Sequence, residues 1–400
     1  MIKRFYTLLF CMLTIASISC SNNDDETKIP QKPETPVNPG DEIDYDKVGI
    51  EYDDGTNIIF HIKIAIDKEG YEMRDDAFFK TRLKTQWEAI NERFSGLDKK
   101  GMLKRNYIFV PDLEDIILYS HNDNVEDPSS SHWEVPKWHN NRIDRKKFQC
   151  MVVYDFAVQE GEGGGGFGDD DGLGNILVIN PGVENIGKFY DHFTDKANTA
   201  AAITHELGHF RGIVDTYLCR ISASNNPING KGFEPEPGNM NNPYPALKDC
   251  AWSDYEMRVI NLNGAKKEFR LLHTCMRDYF PDYLEFTVTE DGKTVEDCTL
   301  NIYNASSYKV EPTPVKTFNF EGGTLRKGGH DLFWTFDWEK YPWTYYNMVL
   351  LEAVNNKTGH KGYSFLPAYE VHNQGLIDKY ENKINGKSIF KRTIDINSNK

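Results

Sequence analysis

Apolar residues in this chain change their spacing along its length, and the changes predict its elements. Ile58 to Ile66 reads as a strand, alternating over its second half. Next, Phe79, Leu83, Trp87, Ile90 and Phe94 fall four, four, three and four residues apart. That spacing predicts one face of an amphipathic helix, with Asp75 or Asp76 as its N-cap. Tyr107–Val110 and Phe148–Tyr154 read as further strands, and Asn175–Ile179 is a short apolar run stopped by Asn-Pro-Gly. A helix then carries Ile203, Leu207 and Phe210 on one face. Strand, helix, strands and helix imply a mixed α/β layer arrangement of the α+β class, with a mixed twisted sheet.

From about Phe280 the pattern changes. Leu284–Thr289 meets an Asp-Gly turn and then Val295–Tyr303, and Asp331–Phe336 and Met348–Val354 continue the run of strands. This predicts a separate all-β sandwich of immunoglobulin-like size over 280–400, following a first domain over 45–279.

The N-terminus reads differently from both. A basic start and a mostly apolar stretch from Phe5 to Ile18 have the length of a signal h-region rather than of a membrane span. The stretch ends at Ser19-Cys20, which resembles a bacterial lipoprotein signal over 1–20 with Cys20 lipidated; ordinary secretory cleavage nearby is the alternative. Residues 21–44 are acidic, Pro-rich and nearly free of large apolar groups, the composition of a disordered tether. An acidic run at that place resembles the surface-export signal of Bacteroidetes lipoproteins. The resemblance implies an outer-membrane, cell-surface location and contact with membrane only through the lipid.

Charge and cysteines narrow the picture. The net charge of −15 argues against a nucleic-acid partner, which would want clustered Lys and Arg. No CxxC occurs, so a cysteine metal knuckle is unsupported. Beyond Cys20 the cysteines are Cys150, Cys219, Cys250, Cys275 and Cys298, an odd number, and a Cys219–Cys250 disulfide is an expectation for an oxidising compartment.

The run HELGHFRGIVD at His205–Asp215 carries the chemistry. Histidines four apart on a helix lie on one face, about one turn from each other, so both rings can reach one ion. Glu206 sits beside the first and is placed to deprotonate a metal-activated water. Asp215 follows His209 by six residues and on a continuous helix would sit about 9 Å further along, pointing away. It can join the site only if the helix breaks, and Gly212 is where it can.

Here the chain resembles the metzincin clan of zinc proteases, whose pattern is HExxHxxGxxH. Asp replaces the third His, and Asp215-Thr216-Tyr217 is similar to the motif of snapalysin within that clan. The resemblance implies one catalytic zinc held by His205, His209 and Asp215, with Glu206 as general base and later proton donor. Asp in place of His is a harder ligand and lowers the net site charge by one, leaving more of the work to Glu206. The clan also implies a methionine turn beneath the metal. Met240, in the turn-rich Gly238–Tyr244 stretch, is preferred because Trp252–Ile260 after it reads as a closing helix. Met276 is the alternative, in a Cys-x-Met-Arg run similar to that of some bacterial immunoglobulin-cleaving metallopeptidases. The clan's tyrosine two residues past the methionine would fall on Asn242, so Tyr217 or Tyr244 is left as the candidate for the oxyanion or substrate.

The glycine-rich loop Gly161–Gly172 precedes the Asn175 strand, whose counterpart in metzincins binds substrate as an edge, and reads as an adjustable lip. Asp169, Asp170 and Asp171 in that loop could hold calcium or form a plain solvated loop; the spacing is not that of an EF-hand. Two functions follow. One is a zinc endopeptidase acting on extracellular proteins or peptides, expected as a monomer. The other is a surface adhesin or glycan- or protein-binding lipoprotein with a structural metal site. Trp334, Trp338 and Trp343 are candidates for a binding platform in that second reading.

Overall fold

The computed structural model describes residues 52–95, 101–119, 147–156, 163–168, 175–180, 199–242, 246–264, 278–305, 308–333 and 348–396. Cys20, the signal and tether of 1–44, Cys275, Met276, Tyr244, Asp169, Asp170, Asp171, Trp334, Trp338 and Trp343 lie outside them. Among the described residues, no helix is long and apolar enough to cross a membrane.

The protein is α+β, with strands dominating. Its first sheet is built on strand β2 (Asn57–Asp67), buried at every residue but the first, which accounts for its near-continuous apolar run. Strand β3 (Asn106–Tyr119) lies parallel along one side of β2, and β4 (Cys150–Tyr154) parallel along the other. The short β1 (Tyr52–Asp53) adds antiparallel to β2. Helix α1 (Asp76–Phe94) covers this sheet with Phe79, Leu83, Trp87, Ile90 and Phe94, the face the spacing predicted. Asp75 is its N-cap and accepts from the Phe78 N–H. Asn91 locks the helix down by exchanging two hydrogen bonds with the Phe109 backbone.

The far side of the sheet departs from expectation. Strand β6 (Asn175–Asn180) runs parallel to β4, but it is not the edge. The glycines expected as a loop form strand β5 (Gly163–Gly168), antiparallel to β6 and outermost among the described strands. A ladder needs only backbone N–H and C=O groups, so a side-chain pattern could not reveal it.

Beyond Tyr283 two four-stranded sheets face each other. One has β10 (Lys316–Glu321), β9 (Asp297–Asn304), β12 (Met348–Asn355) and β13 (Lys361–Pro367) in that order. In the other, β7 (Tyr283–Glu290) pairs with β11 (Thr324–Gly328), with β14 (Ile389–Ile396) and with the short β8 (Lys293–Thr294). Leu284, Phe286 and Val288 meet Leu300, Ile302, Val349 and Leu351 in the core between them. This unit is not purely β. Helix α4 (Ala368–Gly375) follows β13 and continues as a wider helical turn, Leu376–Glu381. Its buried residues Ala368, Val371, His372 and Gly375 recur at helical spacing, a run too short to stand out from its strand neighbours.

The two units share packing. Met348 and Leu350 of β12 join the core of the first unit, while Val349 and Leu351 face the second. Tyr255 and His372 hydrogen-bond across the junction at 3.1 Å, the Tyr380 hydroxyl donates to Asn261 O, and Val310 N donates to Asn225 O.

Candidate metal centre

Helix α2 (Thr199–Phe210) carries the histidines. Ala201, Ile203, Leu207 and Phe210 bury its core face, and His205 and Glu206 are also almost fully buried. The helix ends where the sequence places the break. Gly212 adopts φ +86°, its N–H donates to His209 O, and Ile213 N–H donates to Gly208 O. This pair of bonds is a Schellman motif, which needs a left-handed residue at that place.

The motif does two things for the site. It points Ile213 O back at His209, whose Nδ1 lies 2.8 Å away. It also turns the chain so that Asp215 comes round to the histidines: His205 Nε2 and His209 Nε2 each lie 3.1 Å from the same oxygen, Asp215 Oδ1. His205 Nδ1 lies 3.2 Å from Asn239 O. A carbonyl only accepts, so both Nδ1 atoms carry a proton and both Nε2 atoms face Asp215. That is the orientation a metal-binding imidazole needs, held by the hydrogen bond on its other nitrogen, with an ion taking the place of any proton on Nε2.

The three ligand atoms lie within 4.8 Å of one another, and the group could hold a metal ion. Asp215 Oδ1 is buried and, among the described residues, its polar neighbours are the two histidine rings at ion-pair distance. A buried carboxylate oxygen left this way is costly unless a cation satisfies it. The electrostatics agree. Burial works against charge on His209, but Asp215 and Glu206 outweigh it and push the ring up to about 10. Burial likewise pushes Asp215 up, yet the adjacent His209 and His205 hold it below the usual carboxylate range. The pocket thus stabilises positive charge.

Below the histidines lies the turn Gly238–Asn242. Met240 is fully buried. A Cβ on Gly208 would meet its Sδ at 2.9 Å and the Trp252 ring at 3.2 Å, so the helix rests directly on these two side chains. Met240 O accepts from Tyr217 N, and the Tyr217 ring lies 6.1 Å from that of His205. Helix α3 (Asp254–Asn263) closes this floor, capped by Ser253 and Glu256 in a reciprocal capping box. The expected disulfide is absent: Cys219 and Cys250 are both buried thiols, and burial pushes each up to about 12. Cysteine counting could not tell a packed thiol from a bridge.

Sequence reasoning found His205, Glu206, His209, Gly212, Asp215, Tyr217 and Met240 together. It missed Gly208 and Trp252 as the helix seat, and Glu256, whose only sequence signal is the Ser-x-x-Glu box. Against the 238–242 turn a cavity of about 490 Å³ is lined by polar groups including Arg220, Glu234, Asn241 and Asp249.

No family model matches the chain, and no curated protein matches it. Among solved structures it is similar in part to a chain described as "Structure of a chaperone-substrate complex", with 14% identity and a TM-score of 0.31. That match covers 52% of this chain and 35% of the other. A likeness so low carries no argument about fold or function.

Proposed function

We propose that this chain is a zinc-dependent endopeptidase with a metzincin-type, snapalysin-like site, followed by an immunoglobulin-like sandwich. The observation that carries the reading is the convergence of His205 Nε2, His209 Nε2 and the buried Asp215 Oδ1, with Glu206 on the same helix. Two imidazoles and one carboxylate are a donor set that suits zinc and leaves a coordination position for water or substrate. Three ligand atoms among the described residues and an adjacent glutamate favour a catalytic over a purely structural site, where a fourth protein ligand is the rule.

His205, His209 and Asp215 would hold the ion, which when bound would supply Lewis-acid polarisation of the scissile carbonyl and a more acidic water. Glu206 takes the proton of the attacking water and returns it to the leaving amine. Its near-complete burial keeps bulk water from competing for that proton. Tyr217, beside His205, is the described residue nearest in role to an oxyanion donor. Met240 and Trp252 keep the helix seated while substrate binds. Among the described strands β5 is the edge, and an edge of glycine backbone can pair with an extended peptide.

The test is cleavage of an unbiased peptide library, with metal analysis, by wild type and Glu206→Gln. Expected are about one zinc per chain in both proteins, cleavage by wild type that a chelator stops, and a loss of roughly 10²–10⁴-fold in the variant. Undiminished cleavage by the Gln variant would sink the mechanism.

A further inference from the structure

We infer that Glu256 is a positioning residue for the metal site, holding the turn that fixes the tautomer of His205 and seats the histidine helix. The inference rests on the metal-site reading above. It adds a role for a group 50 residues from the nearer motif histidine's glutamate neighbour in sequence, Glu206.

Glu256 is fully buried, and no lysine, arginine or histidine forms an ion pair with it among the described contacts. Instead its two oxygens collect backbone donors. Oε2 accepts from Ser253 N at 2.6 Å and Asn239 N at 3.2 Å, and Oε1 accepts from Met240 N at 2.8 Å. The first bond belongs to the helix cap. The other two reach across to the turn, so one side chain joins the start of α3 to the 239–240 backbone.

That backbone is the part of the molecule that touches the ligands. Asn239 O accepts from His205 Nδ1, Met240 Sδ lies against Gly208 between the histidines, and Met240 O accepts from Tyr217 N, two residues past Asp215. His205 is therefore two contacts from the carboxylate, and the neighbours in sequence of His209 and Asp215 are two contacts away as well. The turn is also shaped to receive it: a Cβ on Gly238 would stand 2.6 Å from both Glu256 oxygens, so only glycine admits this approach. A capping box alone would need one acceptor at the helix start. Burying a carboxylate is costly, and the extra cost is explained by its service to the turn.

The two roles separate by mutation. In Glu256→Gln the amide oxygen can keep the two bonds of Oε2, while the NH₂ group faces the Met240 N–H and opens that contact. Ser253→Ala removes the reciprocal cap bond and leaves the turn contacts in place. Gly238→Ala disturbs the clamp from the turn side. Three readouts apply to the full chain: zinc affinity by competition with a chelator, the visible spectrum of the cobalt-substituted protein, and the His205 tautomer from long-range ¹⁵N correlation spectra of the metal-free protein.

Expected for Glu256→Gln and Gly238→Ala are zinc affinity weaker by roughly 10–100-fold, in the range typical of lost outer-shell support, a shifted cobalt spectrum, and a mixed tautomer at His205. Ser253→Ala should lower Tm while leaving all three unchanged. The inference is overturned if Glu256→Gln keeps a pure Nδ1–H tautomer, or if Ser253→Ala weakens zinc equally, since a general loss of stability would then be the cause. If wild type takes up no metal, the metal reading fails, and the tautomer still decides the role of Glu256 by itself.

Discussion

The two halves of the molecule treat buried polar groups differently. In the two-sheet half, Glu352 is buried and fully engaged: Asn301 and Tyr303 donate to one oxygen and Lys361 to the other. Around the candidate metal site, Thr216 Oγ1 and both polar atoms of the Asn239 carboxamide are buried with no hydrogen bond, beside Asp215 Oδ1 and its two histidine neighbours. Asn304 Oδ1 and His330 Nδ1 depart from the pattern on the two-sheet side. An unsatisfied buried group costs about 1–3 kcal/mol. A cluster of them beside three convergent ligand atoms marks a place whose polar groups are kept for something that binds, whereas the Glu352 network is self-sufficient. On the proposed reading a bound ion would offset that cost in the first half; the second packs Met348, Leu350 and Tyr369 against it.

That contrast is broken most directly by removing a ligand. Asp215→Asn should weaken metal binding by roughly 100-fold or more, beyond the loss for outer-shell residues. Wild type with metal at a thousandfold its Kd should gain about 4 kcal/mol of stability, and the variant far less. Glu352→Gln should lower stability by about 1–3 kcal/mol with or without metal, because its partners keep their donors. Thermal melts of the three proteins with zinc and with a chelator measure the difference. Equal metal-induced shifts in wild type and Asp215→Asn would remove Asp215 from the site.

A finer probe is the seat of the helix. Alanine at Gly208 improves helix propensity by about 1 kcal/mol. Its methyl would also press on Met240 Sδ and the Trp252 ring. Overpacking costs about 1–3 kcal/mol, so Gly208→Ala should come out destabilised, with weakened metal uptake. Gly212→Ala should lose about 1–2 kcal/mol through the left-handed position alone. Denaturant titration distinguishes the two, since only the first should be relieved by also shortening Met240.

These glycines show why parts of the site were legible and others were not. The histidine pair, Gly212 and Asp215 lie within eleven consecutive residues, where helix geometry relates spacing directly to position. Asp75 at its cap and the buried face of α1 follow from the same local rule. Met240 was reachable because a turn-rich stretch and a following helix bracket it. Glu256 acts across 16 and 17 residues through a fold of the chain, and its box signal announces only a helix start. The β5 strand was hidden because glycine has no side chain to alternate. Helix α4 was hidden because eight residues between strands give barely two turns of pattern.

The smallest effect tests the sandwich half, and its variable is pH. His330 stacks on Phe280 at 5.3 Å, and burial pulls the ring from 6.5 down to about 4. The unfolded chain takes up this proton near pH 6.5, the native protein only near pH 4. Between those values the unfolded state holds more protons, so stability falls as pH drops through that window and this contribution levels off below it. The ring is partly exposed, which moderates the size of the effect. Replacing it with a side chain of similar shape that does not titrate, His330→Phe, should flatten the melting temperature between pH 6.5 and pH 4.5 by a few degrees at most. Zinc affinity at pH 7 should be unchanged by this variant, because His330 reaches the helix that holds the turn through a chain of ring contacts, Phe280 and His372 to Tyr255, that phenylalanine preserves. A variant that moved both quantities together would show the halves to be one energetic unit, and the division drawn from their buried polar groups would fail.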